Sequence, residues 1–271
     1  MVGNTAHGDD LPARAAGDRE TSTRRGLEVL LALGSETAVE QGSLGVTRIA
    51  ELLGREKSQV SRTLKTLAEF GLVERDAETR GYRLGWRIYA LATVAGQRRI
   101  LDAGRPILRE LSRDLGESAY ISVRQGPESL TILAEYAATR VQASGWVGRT
   151  TPLYCTSVGR ALLLDEDDEQ VRAILASIPM ERVAPRTATS ADVFLERLGE
   201  ARSAGFAIAD DEVEAGLVSV AAPVRDPEGR IVAAINLAGP KYRFDDRVLE
   251  AAERLLVAAE HLSDALKGAP V

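Results

Sequence analysis

Thr47-Arg48-Ile49-Ala50-Glu51-Leu52-Leu53-Gly54-Arg55-Glu56-Lys57-Ser58-Gln59-Val60-Ser61-Arg62-Thr63-Leu64-Lys65-Thr66-Leu67-Ala68-Glu69-Phe70 reads as two helices hinged at a glycine. In the second, Lys57–Phe70, a periodicity of 3.6 residues places Val60, Leu64 and Leu67 on one narrow arc, the buried stripe. Ser58, Arg62, Lys65 and Glu69 fall on the opposite arc, with Gln59 and Ser61 beside it and Lys57 at its start. The outward side is therefore short, polar and mostly basic over two turns. That chemistry suits a helix lying in a DNA groove, where Arg and Gln pair with base edges while Ser and Lys hold phosphates. The first helix, Thr47–Leu53, turns Ile49, Leu52 and Leu53 inward, and Gly54 supplies a permissive turn.

Upstream, Leu27, Leu30, Leu31 and the stop at Leu33-Gly34 read as a third amphipathic helix closing a small core. Downstream, Leu72–Arg75 and Gly81–Leu84 form two short strands joined by residues 76–80, a winged hairpin. Arg75, Arg80 and Arg83 give this wing positive charge for phosphate or minor-groove contact. Alone, the Lys57–Phe70 helix would read as an ordinary solvated surface helix. The wing beside it turns the reading to DNA.

Charge is distributed unevenly. The whole chain has 34 Lys+Arg against 40 Asp+Glu, a net of −6. Residues 44–99 carry 11 basic and 6 acidic side chains, net +5, whereas residues 100–271 carry 19 and 27, net −8. A basic head on an acidic body results, and an acidic body that repels DNA is suited to sensing something else. The 271 residues, 45% of them hydrophobic, suffice for two cores. No run of about 18 apolar residues marks a membrane span. The first 20 residues lack a signal-peptide apolar segment and read as a disordered tail, so a cytoplasmic location is expected. A lone Cys155 excludes an internal disulfide, and with only His7 and His261 beside it no metal-ligand cluster is expected. Cys155, between Tyr154 and Thr156, reads as a small buried residue rather than a nucleophile or redox sensor. No hydrolase elbow or phosphate-binding glycine loop occurs, so neither an enzyme nor a cofactor is expected.

The expected organisation is a tail over 1–20, the winged head over 21–85, a linker helix over 86–100 and the body over 101–271. Within the linker, read as one helix Trp86–Arg99, Ile88, Leu91, Ala92 and Ala95 form a stripe for a partner chain or for core packing. The body reads as α+β: a helix Leu101–Leu115, a hairpin of Ala119–Arg124 and Leu130–Glu135, a possible strand Val141–Ala143 and helices Ser157–Leu164, Asp168–Ala176 and Ala191–Ala204. Strands Phe206–Ala209, Val218–Val224 and Ile231–Leu237 follow, then a helix Asp245–Leu266. Two strands hint at a cavity. Leu217, Ser219 and Ala221 share one face, opposite Val218, Val220, Ala222 and Val224; Ala234, Asn236 and Ala238 share another, opposite Ile231, Ala233, Ile235 and Leu237. Small side chains leave space, and an Asn in a central strand needs an amide partner, which is either a ligand or a loop backbone.

The head and wing, ending Tyr82-Arg83-Leu84-Gly85, together with Pro152-Leu153-Tyr154-Cys155-Thr156-Ser157-Val158-Gly159-Arg160-Ala161, Gly205-Phe206-Ala207, Asp210-Asp211-Glu212, Gly216-Leu217, Ala221-Ala222-Pro223-Val224 and Ala238-Gly239-Pro240, resemble the IclR family of bacterial transcriptional regulators. The resemblance runs from about residue 22 to residue 266. It implies a winged helix-turn-helix domain followed by a GAF-like, mixed α/β effector-binding domain, in a homodimer or a dimer of dimers that binds operator DNA. It also implies a small-metabolite effector, commonly an organic or aromatic acid. Carried over by motif, the effector site falls at Thr151, Ser157, Val158, Asp210, Leu217, Ser219, Asn236 and Ala238. Where the family's loop before the Gly159-Arg160-Ala161 helix is often glycine- or alanine-rich, this chain has Ser157 and Val158, and Asn236 and Ala238 stand where hydroxyls are common. The start of a helix at Ser157 could face a carboxylate and Asp210 a hydroxyl or amine, suiting a small polar metabolite such as a hydroxylated acid. The alternative is a small-molecule sensor or interaction protein with only weak DNA binding. Steep salt dependence would separate the two.

Overall fold

A computed structural model describes residues 21–94, 98–137 and 146–267. The chain divides at Arg98 into two compact units, inside the expected linker. The unit before it contains α1 (Ser22–Leu33), α2 (Glu36–Gln41), α3 (Val46–Leu53), α4 (Lys57–Glu69), the hairpin β1 (Val73–Arg75) and β2 (Tyr82–Leu84), and α5 (Trp86–Val94). Gly54, at φ +60°, ends α3 in the left-handed region and sets up the turn into α4. Ile49, Leu53, Val60, Leu64 and Leu67 are buried together as read.

The reading of α1 needs correction. Its inward face is Val29, Ala32 and Leu33, while Leu27 and Leu31 are 57% and 49% exposed. The helix is apolar on two arcs; Leu30 and Leu33 pack on the core as read, with Val29 and Ala32 beside them. Leu91 is also exposed and Ile88 half-buried. The single helix expected over 86–99 is represented by α5 and the start of α6; residues 95–97, the tail over 1–20 and the expected strand Val141–Ala143 lie outside the described residues.

The second unit is a six-stranded antiparallel sheet of order β5-β4-β3-β8-β7-β6. Its elements are α6 (Arg98–Leu115), β3 (Ser118–Gln125), β4 (Glu128–Glu135), β5 (Thr150–Pro152), a 3₁₀ turn Leu153–Cys155, α7 (Ser157–Leu162), α8 (Asp168–Leu175), α9 (Ala191–Ala204), β6 (Ala207–Asp210), β7 (Leu217–Arg225), β8 (Ile231–Pro240), α10 (Lys241–Phe244) and α11 (Val248–Lys267). The C-terminal helix begins three residues later than read, because Asp245–Arg247 forms a 3₁₀ turn after α10. β5 was not read at all. It is three residues long and pairs only with β4.

The two sheet faces carry different cores. Val218, Val220, Ala222, Val224, Ala233, Ile235 and Leu237 pack against α6 and α11, whereas Ala221 and Ala234 belong to the core under α7, α8 and α9. Ile231 departs from the expected face. The register slips from Val224↔Ala233 to Arg225↔Ile231, so Val232 and Ala233 both turn toward α11 and Ile231 crosses to the other core. A one-residue bulge reverses facing in this way. Gly104 lets α6 lie on β3, since a Cβ there would stand 2.4 Å from Ile121 Cδ1.

Candidate functional site

In the first unit, α4 presents Lys57, Ser58, Ser61, Arg62 and Lys65 to solvent, while Gln59 is half-buried. Arg62 lies along the helix with Nε donating to the Ser58 carbonyl at 3.3 Å, leaving its guanidinium plane at the surface. The wing is built by local polar chemistry. The Asp76 carboxylate accepts from the Glu78 and Thr79 N–H groups (3.0 and 2.8 Å) and from the Thr79 hydroxyl (2.9 Å). These bonds, Thr79's first, hold Asp76 below its ordinary pKa. Arg80 takes φ +56° at the tip. Arg75 donates to the Arg80 carbonyl and sits 5.7 Å over the Tyr82 ring, and Arg83 pairs loosely with Glu74 at 3.5 Å. Leu44 bridges Tyr82 with two backbone bonds of 2.9 and 2.8 Å, tying the wing to the loop before α3. Helix α4 and the cationic hairpin thus share one hydrophobic core.

In the second unit a cavity of about 470 Å³ opens on the sheet face beneath α7, within the range of about 300–1,000 Å³ usual for small-ligand sites. Its floor crosses four strands: Ser129 and Thr131 of β4, Ser118, Tyr120 and Ser122 of β3, Asn236 and Ala238 of β8, and Leu217 and Ser219 of β7. Cross-strand register aligns them, with Tyr120 opposite Asn236 and Ser118 and Ser219 both opposite Ala238. Thr151 at one edge, Thr156, Ser157 and Val158 at the start of α7, and the turn Val213–Gly216 complete the walls, with Trp146. Of the expected residues, Thr151, Ser157, Val158, Leu217, Ser219, Asn236 and Ala238 line this one cavity.

Asp210 does not. Its carboxylate is taken by Lys241 and Arg186, so it ties the end of β6 to α10 and the 180s loop instead of facing the space. The expected anion site at the start of α7 is not built as read either. That helix has six residues, the Thr156 hydroxyl accepts the Gly159 N–H at 2.8 Å, and the Ser157 hydroxyl is bonded to Ser219 at 2.8 Å.

α7 is set by two features. Gly159 is obligatory, because a Cβ there would lie 2.0 Å from the Leu153 carbonyl oxygen. Arg160, 1% exposed, forks onto the Glu212 carboxylate at 2.8 and 3.0 Å and reaches the Ile208 carbonyl; Arg197 adds a 2.7 Å contact to Glu212. The helix that forms one wall is thereby locked to the strand end preceding the Val213–Gly216 wall. Burial pushes the Tyr120 phenol up to about 12, so it remains a protonated donor. Burial also pushes the Cys155 thiol up to about 12. It sits under α7, not on the cavity wall. Sequence reading missed Ser118, Tyr120, Ser122, Ser129 and Thr131, although their period-two spacing on adjacent strands was a usable signal. Glu117 and Arg243, also on the wall, form a bidentate pair (2.8 and 2.7 Å) over Gly239. Nothing local in the sequence couples positions so far apart.

Comparison with known proteins settles the family. The family model "Bacterial transcriptional regulator IclR C-terminal" matches residues 92–264, and the IclR helix-turn-helix model matches residues 22–77. The chain is an IclR-family transcriptional regulator. Curated members similar to it include the regulator XynR of Escherichia coli (strain K12), 31% identical across 90% of this chain and 96% of that one. KdgR of the same organism is 29% identical across 91% and 92%. A solved IclR homologue from Microbacterium hydrocarbonoxydans, complexed with 4-hydroxybenzoate, superposes with a TM-score of 0.75 over 91% of this chain and 99% of its own at 23% identity, which supports the fold. In this IclR-family chain the winged head is the DNA-binding domain and the second unit the effector-binding domain. Its relatives are regulators rather than enzymes. No helix among the described residues is long and apolar enough to cross a membrane.

Proposed function

We propose that the cavity under α7 is the effector site of a cytoplasmic regulator acting as a homodimer or dimer of dimers, and that occupancy there changes operator binding or transcriptional output. The observation that carries this is Asn236. The residue is 7% exposed and lines the cavity, and no hydrogen bond to its carboxamide is found among the described residues. A carboxamide that faces the cavity with its donors and acceptor unspent on the protein is available to a ligand. Ser157, Val158, Thr151, Leu217, Ser219 and Ala238 shape the space around it. Lys57, Ser58, Gln59, Ser61, Arg62 and Lys65 form the groove-reading face, and Arg75, Arg80 and Arg83 the wing contact. Self-association is supported by apolar side chains left uncovered on the head: Leu27 and Leu31 on α1, and Trp86, Tyr89 and Leu91 on α5. Two heads at fixed spacing suit a two-fold operator.

The test is fluorescence anisotropy on DNA from the upstream region of the chain's own gene, at two salt concentrations, with and without candidate effectors. Tight, selective binding that weakens steeply with salt and shifts with an effector in wild type but not in Asn236→Ala supports the proposal. Operator binding indifferent to every compound that binds the second unit refutes it.

A further inference from the structure

Resting on the effector reading, we infer that α10 is a strut between the cavity wall at residues 213–216 and the end of α6, and that Lys241 and Arg243 are the positioning residues through which occupancy of the cavity reaches α6. A helix of four residues does not hold itself. It is seated by Phe244, buried in the core shared by α6 and α11, and by the partners of its two cations. The Lys241 N–H donates to the Gly216 carbonyl at 2.7 Å, and its ammonium donates to the Asp210 and Asp211 carboxylates at 2.5 and 2.8 Å. Asp211 also accepts the Gly216 N–H at 2.5 Å. Lys241 therefore grips both ends of the turn whose middle lines the cavity. On the other side, the Arg243 fork holds Glu117 at 2.7 and 2.8 Å, and Arg247 donates to the Leu115 carbonyl at 3.1 Å. Leu115 is the last residue of α6. Three cations close together in the chain, Lys241, Arg243 and Arg247, thus join one wall of the cavity to that helix.

The turn has one fixed end and one that can shift. At Glu212 it is locked to Arg160, with side chains 6% and 1% exposed, and a pair so deep is costly to part. At the other end Lys241 is 33% exposed and Asp211 20%, so water can fill behind them as they move. Residues 214–216 are exposed as well. A compound pressing on residues 213–216 therefore displaces the Gly216 end, and the Lys241 N–H and ammonium carry that displacement into α10. Arg243 and Arg247 pass it to the end of α6. This helix opens the second unit, so the chain arriving from the winged head enters the unit through the element that the strut holds. A contiguous set of polar contacts of this kind is what coupling between sites requires.

The experiment reads amide hydrogen exchange along the full chain without ligand, together with operator affinity at two salt concentrations. In Lys241→Met, residues 211–217 and residues 112–118 should both exchange at least threefold faster than in wild type. Operator affinity should change at least threefold with the same salt slope, because no phosphate contact is lost. Lys241→Arg keeps a cation in the clasp and should restore all three readings. Glu117→Met/Arg243→Met removes both members of the second pair, so no buried charge is stranded. Adding Lys241→Met to that double variant should loosen residues 211–217 and leave residues 112–118 unchanged. Faster exchange confined to residues 211–217 in Lys241→Met overturns the strut, as does a response at residues 112–118 that persists in the triple variant. Operator affinity identical in wild type and Lys241→Met overturns the relay beyond α6. Lys241→Met alters only a partly exposed side chain, so its outcome decides even where the double variant is destabilised. These readings need no compound. One that binds the second unit without moving operator binding refutes the effector reading and leaves the link from the turn to α6 standing.

Discussion

Deleting the Glu212 carboxylate, which does not itself line the cavity, should unlock α7. In Glu212→Ala the Arg160 guanidinium, 1% exposed, keeps only the Ile208 carbonyl among its partners. Stranding one member of a buried ion pair costs about 3–5 kcal/mol, against about 5–15 kcal/mol for a whole domain. A unit of this size loses about 2–4 °C per kcal/mol, so its melting transition should fall by roughly 6–20 °C. The physics also predicts a rescue. Arg160→Met/Glu212→Leu removes both charges and refills most of the volume, and replacing a buried pair with apolar side chains is often neutral or stabilising. Scanning calorimetry of the full chain reads both effects, with Asp264→Ala, which removes an exposed pair to Lys267, as a control expected to change little. A loss below about 1 kcal/mol in Glu212→Ala would show that the pair is solvated and not the anchor argued from its burial. A double variant no better than the single would show that Arg160 and Glu212 do not act as a unit.

On the head, Arg62→Ala and Lys65→Ala should weaken operator binding with unchanged melting. Each lost phosphate contact should reduce the salt slope by about 0.9, and Arg62→Ala should cost about 1–3 kcal/mol with relaxed specificity if it pairs with a base; full affinity in Arg62→Ala would mean the wrong face of α4 was chosen. The Cys155 thiol, pushed up to about 12 by burial, should resist thiol reagents at pH 8 until the chain is denatured, and rapid labelling of the native protein would contradict its placement. Asp76 is depressed below its ordinary value of 3.8, so its contribution to the wing is present above the ordinary carboxylate range and is lost as pH falls through the lowered folded value. The Thr79 amide resonance should report this titration, and a midpoint at or above 3.8 would refute the Asp76 turn.

The head was legible because its signals are local. Gly54, the Val60/Leu64/Leu67 arc and the two strands around residues 76–80 all lie within reach of one helical or hairpin period. The exception, α1, had apolar side chains on two arcs, and only the position of α3 and α4 decides which one is buried. In the body, alternation on β7 and β8 pointed to the small face, and Asn236 drew notice as a polar residue in a central strand. What escaped was pairing at a distance. Asp210 looked like a wall residue until Lys241 and Arg186 claimed it, and the Glu117–Arg243 fork joins residues with 125 positions between them. Ile231 was misfaced because a bulge leaves no composition signature.

The alternation along β7 separates two histories in one strand. Val218 and Val220 hold the sheet to α11, while Leu217 and Ser219, their immediate neighbours, face the cavity. In the effector site proposed for this cavity, substitution at the second set would alter what is recognised and leave the packing that keeps the domain folded almost untouched. A lineage could therefore exchange one effector for another by changing a few alternate positions, without first acquiring spare stability.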